Sequence, residues 1–290
     1  MPSLIDSHCH VHFNAYRDDM DAVIRRTLEK GVFMITVGTQ KDTSRIGLEV
    51  AARYDGVWAT VGLHPNHLTR QTFADEDELP TTVGAPSTAA FDPVVHTREE
   101  SFDMELFRTM AAHPKCVAIG ETGLDYYRIP DGADAEAVKE KQRQTVRAHF
   151  DLATEMNLPL TIHCREAYEE QAKLIEEYTH EGKLVRRGVI HCFTGTQTEA
   201  ERFIELGFSI SFSGIVTFSK NLQKVAQQIP LGWLLVETDA PYLTPAPDRG
   251  GRNEPWRVKD VAEKIATLKG ISVEEVAAET VENTQKMFRL

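Results

Sequence analysis

Eight short apolar or alternating runs, set between amphipathic segments, constrain this chain more than any other feature. They are LIDSHCH (4–10), VFMITVGT (32–39), VWATVGLH (57–64), CVAIGETGL (116–124), LPLTIHC (158–164), GVIHCF (188–193), FSISFSGI (208–215) and WLLVETDA (233–240). Between them DAVIRRTLEKG, RIGLEVAARYDG, AEAVKEKQRQTVRAHFDLATEMN and TEAERFIELG carry helical spacing, and several stop on Gly or Asn. Strands that alternate with helices build a parallel sheet. Eight such units in 290 residues predict a closed (β/α)8 barrel, a TIM barrel, rather than an open doubly wound sheet. No GxGxxG or GxxxxGK[ST] phosphate loop follows any of the runs, which counts further against the open sheet.

The reading is of a single domain over residues 1–290, with two departures from the alternation. Residues 66–100 are rich in Pro, Thr and acids and longer than an ordinary connection, so they read as a surface insertion or as a lid at the third strand's exit. Residues 255–290 hold two C-terminal helices, the second opened by Ser272 and Glu275 as a capping box, expected to pack around the outside of the barrel. The net charge of −12 argues against a protein that coats nucleic acid through broad electrostatics. It leaves open an enzyme that draws a nucleic-acid end into a metal site, where bound cations supply local positive charge. No apolar run approaches the roughly 20 residues of a membrane helix. The start lacks a basic-then-apolar leader, and Cys9, Cys116, Cys164 and Cys192 do not form a secreted disulfide pattern; the expectation is a cytoplasmic protein with no membrane and no obligatory protein partner.

A barrel keeps its chemistry at the carboxyl ends of its strands, and polar residues recur there. His8 and His10 close the first run, His64 the third, Glu121 lies late in the fourth, His163 closes the fifth, His191 lies in the sixth, and Glu237 and Asp239 end the eighth. An ionic group buried in an apolar strand is costly unless paired or metal-bound, so six strands sharing the pattern do not read as packing. Imidazole and carboxylate donors suit zinc, manganese, nickel or iron, and two histidines from the first strand, Glu121, two further histidines and Asp239 suffice for one or two divalent cations per chain. Such a site hydrolyses esters or amides.

DSHCH, GLHP, IGETGLDYY, IHCREA, HCFTG, ETDAPYL and GGRNEPWRV, in this order and across essentially the whole chain, resemble the TatD-type metal-dependent deoxyribonucleases within the amidohydrolase-like barrels. The resemblance implies that His8 and His10 bind a first metal, that Glu121 bridges two, that His163 and His191 bind the second, and that Asp239 is both ligand and proton acceptor from the attacking water. Zinc, manganese, magnesium or nickel would serve. It further implies a 3′–5′ exodeoxyribonuclease acting on DNA 3′ ends. The rival on the same site is a D-aminoacyl-tRNA deacylase, with tRNA as partner, or a small-molecule amidohydrolase; the rival from another class is a non-catalytic binding barrel.

Around this set, Asp6 and Glu237 read as carboxylates that orient the ligand histidines, Asp6 alternatively as a lower ligand. His64 reads either as a structural cap of the third strand or, as the resemblance implies, as a substrate contact. Arg165 and Arg252 each read either as a phosphate contact or as a partner to a structural carboxylate. Tyr126 and Tyr127 read as a base platform or as rim packing. His12 shares the face of His8 and His10 but stays outside the ligand set. Strand parity turns Cys9, Cys164 and Cys192 toward the helices, and His67, His96, His113, His149 and His180 are expected at the surface.

Overall fold

A computed structural model describes residues 2–74 and 94–290. The strands are β1 (Leu4–Cys9), β2 (Val32–Val37), β3 (Val57–Val61), β4 (Thr72–Ala74), β5 (Val94–His96), β6 (Cys116–Asp125), β7 (Leu160–Arg165), β8 (Gly188–Ile190), β9 (Ser209–Phe212) and β10 (Leu234–Val236). The helices are α1 (Met20–Glu29), α2 (Lys41–Ala51), α3 (Met104–Ala111), α4 (Ala135–Met156), α5 (Tyr168–His180), α6 (Gln197–Glu205), α7 (Lys220–Gln228), α8 (Val258–Lys269) and α9 (Val273–Phe288). Eight strands form one sheet in the order β1-β2-β3-β6-β7-β8-β9-β10, with parallel pairing throughout. The last strand returns to the first: Asp239 N–H donates to His8 O at 2.9 Å and His10 N–H to Ala240 O at 2.6 Å. The result is a (β/α)8 barrel. All eight expected strands are present, and several stop short of the apolar run. Strand β8 ends at Ile190 and β10 at Val236, so His191 and Asp239 ride on the turns just beyond the ladder.

The helices that enclose the sheet are locally well specified. Asp134 caps α4 by accepting from Glu136 N–H and Ala137 N–H, and Asn157 stops it in the left-handed region at φ 51°. The capping box of Ser272 and Glu275 at the start of α9 is formed. One pleat face of the strands packs under the helices. The other contributes a separate inner cluster that includes Ile35, Val37, Val189 and Leu235, joined by Phe288 from α9. The C-terminal tail, expected around the outside of the barrel, thus also sends Phe288 into this second cluster.

Two strands gain an extra residue where they carry metal-type side chains. Asp6 pairs with Met34 but Cys9 with Thr36, a bulge that spans His8. Ile119 pairs with Leu160 but Thr122 with Ile162, a bulge that spans Glu121. A bulge bends its strand and re-aims the side chain beside it. The glycines of GETG permit this in β6. A Cβ at Gly120 would lie 2.3 Å from Thr161 O and one at Gly123 only 1.8 Å from His163 O, and both have φ near +150°.

Of the expected insertion, residues 75–93 lie outside the described residues. Its described roots are part buried and part exposed, with Arg98 at the surface. Asn66, His67 and Leu68 are buried beside β3, β4 pairs antiparallel with β5, Arg98 bonds Asp42 and Gln40, and Glu100 N–H donates to His67 O.

Candidate metal centre and its cavity

A cavity of about 440 Å³ opens at the carboxyl ends of the barrel strands. Its lining includes His10, His64, Glu121, Asp125, Arg128, His163, Arg165, His191 and Asp239. Glu121, 4% exposed, organises the floor by presenting its two oxygens to two different groups of imidazoles. Its Oε2 lies 3.3 Å from His8 Nε2 and 3.8 Å from His10 Nε2. Its Oε1 lies 2.8 Å from His191 Nε2, 3.3 Å from His163 Nδ1 and 3.2 Å from His64 Nε2. Asp239 Oδ1 closes the first group, 3.3 Å from His10 Nε2 and 3.5 Å from His8 Nε2.

These spacings fit a metal. His8 Nε2 and His10 Nε2 are 3.3 Å apart. Donors about 2.0–2.1 Å from a common tetrahedral centre stand roughly 3.3–3.4 Å from one another. Three overlapping donor groups meet that description: His8, His10 and Glu121; His8, His191 and Asp239; His64, Glu121 and His163. His64 is separated from the others by its tautomer. Asn66 N–H donates to its Nδ1 at 3.1 Å, so the ring proton sits on Nε2, pointing at Glu121. In its neutral form His64 offers a donor there rather than a lone pair.

The remaining rings are oriented from behind. His10 Nδ1–H donates to Val37 O at 2.8 Å, which frees Nε2 toward Asp239. His163 Nε2–H donates to Asp125 Oδ2 at 3.0 Å and leaves Nδ1 on Glu121. Glu237 Oε1 lies 3.4 Å from His191 Nδ1 and accepts from Cys192 N–H at 2.6 Å. His8 is held by its stack on His191, with ring centroids 3.8 Å apart. Burial raises a carboxyl's pKa, yet His191, His64 and His8 outweigh it and hold Glu121 well below its usual range. Asp239 is likewise low, burial being outweighed first by its bond to His10. At His191 burial is outweighed by Glu121 and Glu237, and the ring is held well above the usual imidazole value. The floor is therefore built of anions and imidazoles, the donor chemistry of a divalent cation.

Not every expected site residue joins it. Asp6 touches no imidazole. The bulge in β1 turns its carboxylate onto the backbone, where it accepts from His8 N–H at 3.2 Å, Thr238 N–H at 2.9 Å and Thr238 Oγ1 at 2.5 Å, pinning the β1–β10 seam. Arg252 is placed away from the cavity and forks onto Asp19 at 2.7 and 2.6 Å, with a further bond to Ala15 O. Of its two readings, the structural carboxylate is the one seen. Its neighbour Asn253 holds Thr238 O and Tyr242 O, the turn that carries Asp239. Arg165 lines the cavity, with its guanidinium 3.9 Å from the centroid of the exposed Tyr127 ring. His12 is buried away from the cavity, donating to or accepting from Thr36 Oγ1 at 2.6 Å, and burial with the neighbouring His10 pushes its pKa down to about 3.

Three further expectations are corrected. His67 is buried, lines the cavity and bonds Gln40, and His149 is fully buried, donating to Thr145 O and accepting Leu63 N–H at 3.0 Å; neither is a surface histidine. His113 is half-buried and accepts from Lys115 N–H, whereas His180 is exposed and the side chain of His96 lies outside the described residues. Cys9 and Cys164 are in the main core as parity requires, although Cys164 also borders the cavity, but Cys192, at φ 43° beyond the end of β8, lies in the cavity wall with Sγ 3.3 Å from Ser213 Oγ. Sequence reasoning passed over Asp125. It stands two strand steps of two after Glu121, on the same face, and that parity was the available signal.

A family model described as "TatD related DNase" matches residues 5–289. The chain is 36% identical over 290 residues to a protein of Bacillus subtilis (strain 168) named uncharacterized metal-dependent hydrolase YabD, covering 99% of each. It is 31% identical over 284 residues to a protein of Pantoea vagans (strain C9-1) named 3′-5′ ssDNA/RNA exonuclease TatD, covering 95% of each. Its fold matches the crystal structure of YJJV, a TatD homologue of Escherichia coli K12, with a TM-score of 0.81 and 27% identity over 99% of this chain and 98% of that one. With its Glu121-centred donor set and these relatives, the chain belongs to the TatD family and is a metal-dependent hydrolase.

Proposed function

We propose that this hydrolase is a 3′–5′ exodeoxyribonuclease that removes nucleotides from single-stranded DNA ends. The observation that carries the reading is Glu121, whose two oxygens face two separate imidazole groups, an arrangement suited to a pair of cations. His8, His10 and Asp239 would hold one cation and His163 and His191 the other, with Glu121 shared. Divalent cations there supply the Lewis acidity that offsets charge on a phosphoryl group and acidifies water. The chain's own contribution is positional. Asp239, with 16% of its side chain exposed, lies at the cavity edge of the floor and is ionised, so it accepts the proton of the attacking water. His64 Nε2–H, 12% exposed, is a hydrogen-bond donor for a phosphoryl oxygen. A cavity of about 440 Å³ admits a chain end rather than a duplex wall. The relative named as an exonuclease supports the same substrate. None of the four cysteines is bridged, which supports a reducing, cytoplasmic setting.

The test is reconstitution of metal-stripped protein with manganese, magnesium, zinc or nickel, offered 3′-labelled single-stranded DNA and, in parallel, a D-aminoacyl-tRNA. Shortening of the DNA from its 3′ end is expected, and Asp239→Asn should slow it about 10²- to 10⁴-fold, the usual weight of a general base. Deacylation without DNA cleavage would move the reading to the tRNA ester, and a wild-type rate in Asp239→Asn would remove Asp239 from the mechanism.

A further inference from the structure

The cavity has two unlike walls, and the strand order sets them opposite each other. Strands β6 and β7 are fourth and fifth in the eight-strand order; β10 and β1 are last and first, so the two pairs face one another across the barrel. The β6–β7 side carries Arg128 and Arg165, the two lining residues with a permanent positive charge among those described. Both guanidiniums lie against one ring, Tyr127, at 3.9 Å for Arg165 and 5.7 Å for Arg128. The β10–β1 side carries Phe13, Tyr242 and Leu243. Phe13 stacks on His10 at 4.4 Å between centroids, and Tyr242 meets the same ring edge-on at 6.3 Å. Asp125 ties the basic wall to the floor: Oδ2 takes the His163 ring and Oδ1 takes the backbone N–H of Arg128 at 2.9 Å.

Resting on the nuclease reading above, we propose that this polarity orients the strand. The base of the 3′-terminal nucleotide packs on the wall of Phe13, Tyr242 and Leu243, the scissile phosphate lies over Glu121, and the phosphate on the 5′ side of the penultimate nucleotide docks on Arg165 and Arg128. An apolar wall offers a base its face, and a pair of guanidiniums offers a phosphate forked, charge-assisted hydrogen bonds. Water adds to the scissile phosphorus, the bond to the upstream 3′ oxygen breaks, and that oxygen takes a proton, leaving a 5′-mononucleotide and a new 3′-hydroxyl. The preferred substrate is therefore an end with at least two phosphates, one to cleave and one to hold.

Two dinucleotides separate these roles. TpT has only the scissile phosphate, whereas pTpT adds the phosphate assigned to the arginines. In the wild type kcat/KM for pTpT should exceed that for TpT by about tenfold or more, the worth of a charge-assisted contact. That ratio should collapse toward one in Arg165→Gln and in Arg128→Gln/Arg165→Gln, and Arg165→Lys, which keeps the charge without the fork, should restore part of it. Thermal melts by circular dichroism establish that each variant is folded. A wild-type ratio near one, or a ratio retained in the double variant, overturns the arginine assignment while leaving the exonuclease intact. Absence of hydrolysis of both dinucleotides and of longer strands defeats the nuclease reading instead. Calorimetric binding of the same two dinucleotides to metal-stripped protein then decides the inference: a preference for pTpT that the double variant loses supports it, and equal binding overturns it.

Discussion

The two sides of Glu121 hold their imidazoles by different means. On the Oε2 side His10 is fixed by a main-chain carbonyl, Val37 O, and His8 by a backbone that Asp6 pins to Thr238. On the Oε1 side His163 and His191 are backed by carboxylates, Asp125 and Glu237. A carbonyl orients a ring without adding charge. A carboxylate also raises the ring's basicity, and with it the strength of the ligand. The first side is thus set largely by the barrel's backbone, whereas the second is adjustable by single side chains.

The most direct way to break the comparison is Glu121→Gln, which withdraws one anionic donor from both sides at once. Bound metal should fall for both ions, and activity should drop beyond the roughly 10⁴-fold reach of a lost general base. Metal analysis after gel filtration, with a single-strand nuclease assay, measures both. Retention of one tightly bound ion would mean that one side does not need Glu121.

Asp125→Asn and Glu237→Gln sharpen the same contrast with a smaller effect, because they leave the proposed ligands in place and remove only the charge behind the rings. Each should cost about 10- to 100-fold in metal affinity or activity, the range seen when such backing partners are lost. The loss should fall on one ion of the pair, which titration of the metal-stripped protein resolves as one weakened and one unchanged site. Equal weakening of both sites would erase the distinction between the two sides.

The difference between the sides also shows what a sequence discloses. Parallel strands buried on both faces stand out as apolar runs, so the barrel was readable, and His8, His10, Glu121, His163, His191 and Asp239 stood out as ionic groups that such runs rarely tolerate. The bulges over His8 and Glu121 leave no local mark, because an extra residue is extra only relative to a partner strand. Asp6 therefore shared a face with the candidate donors by alternation yet spends Oδ1 on two backbone N–H groups and Oδ2 on the Thr238 hydroxyl. Arg252 was ambiguous for a related reason, since its partner Asp19 lies far away in the chain. Cys192 escaped parity because β8 had already ended at Ile190. His149 looked like a surface residue of a charged helix, and only its packing under Leu63 shows otherwise.

His149 gives the smallest and most separable test, since it touches neither side of Glu121 but holds the backbone that leads into His64. Burial pushes its pKa from 6.5 down to about 4, against the opposing bond to Thr145 O. The sign follows from linkage. Between pH 6.5 and about 4 the unfolded chain binds a proton at this ring and the folded chain does not, so stability is full above pH 6.5 and drains away as pH falls through that window. The span corresponds to roughly 3 kcal/mol. In His149→Gln, whose side chain can still accept Leu63 N–H, that part of the slope should vanish. Urea midpoints of the metal-stripped protein at pH 7 and pH 4.5 measure it. An unchanged slope would assign the acid sensitivity to other imidazoles that burial holds below their usual value, His12 and His67, each at about 3; the carboxylate-backed rings, held above it, gain stability as pH falls and are no source of that slope.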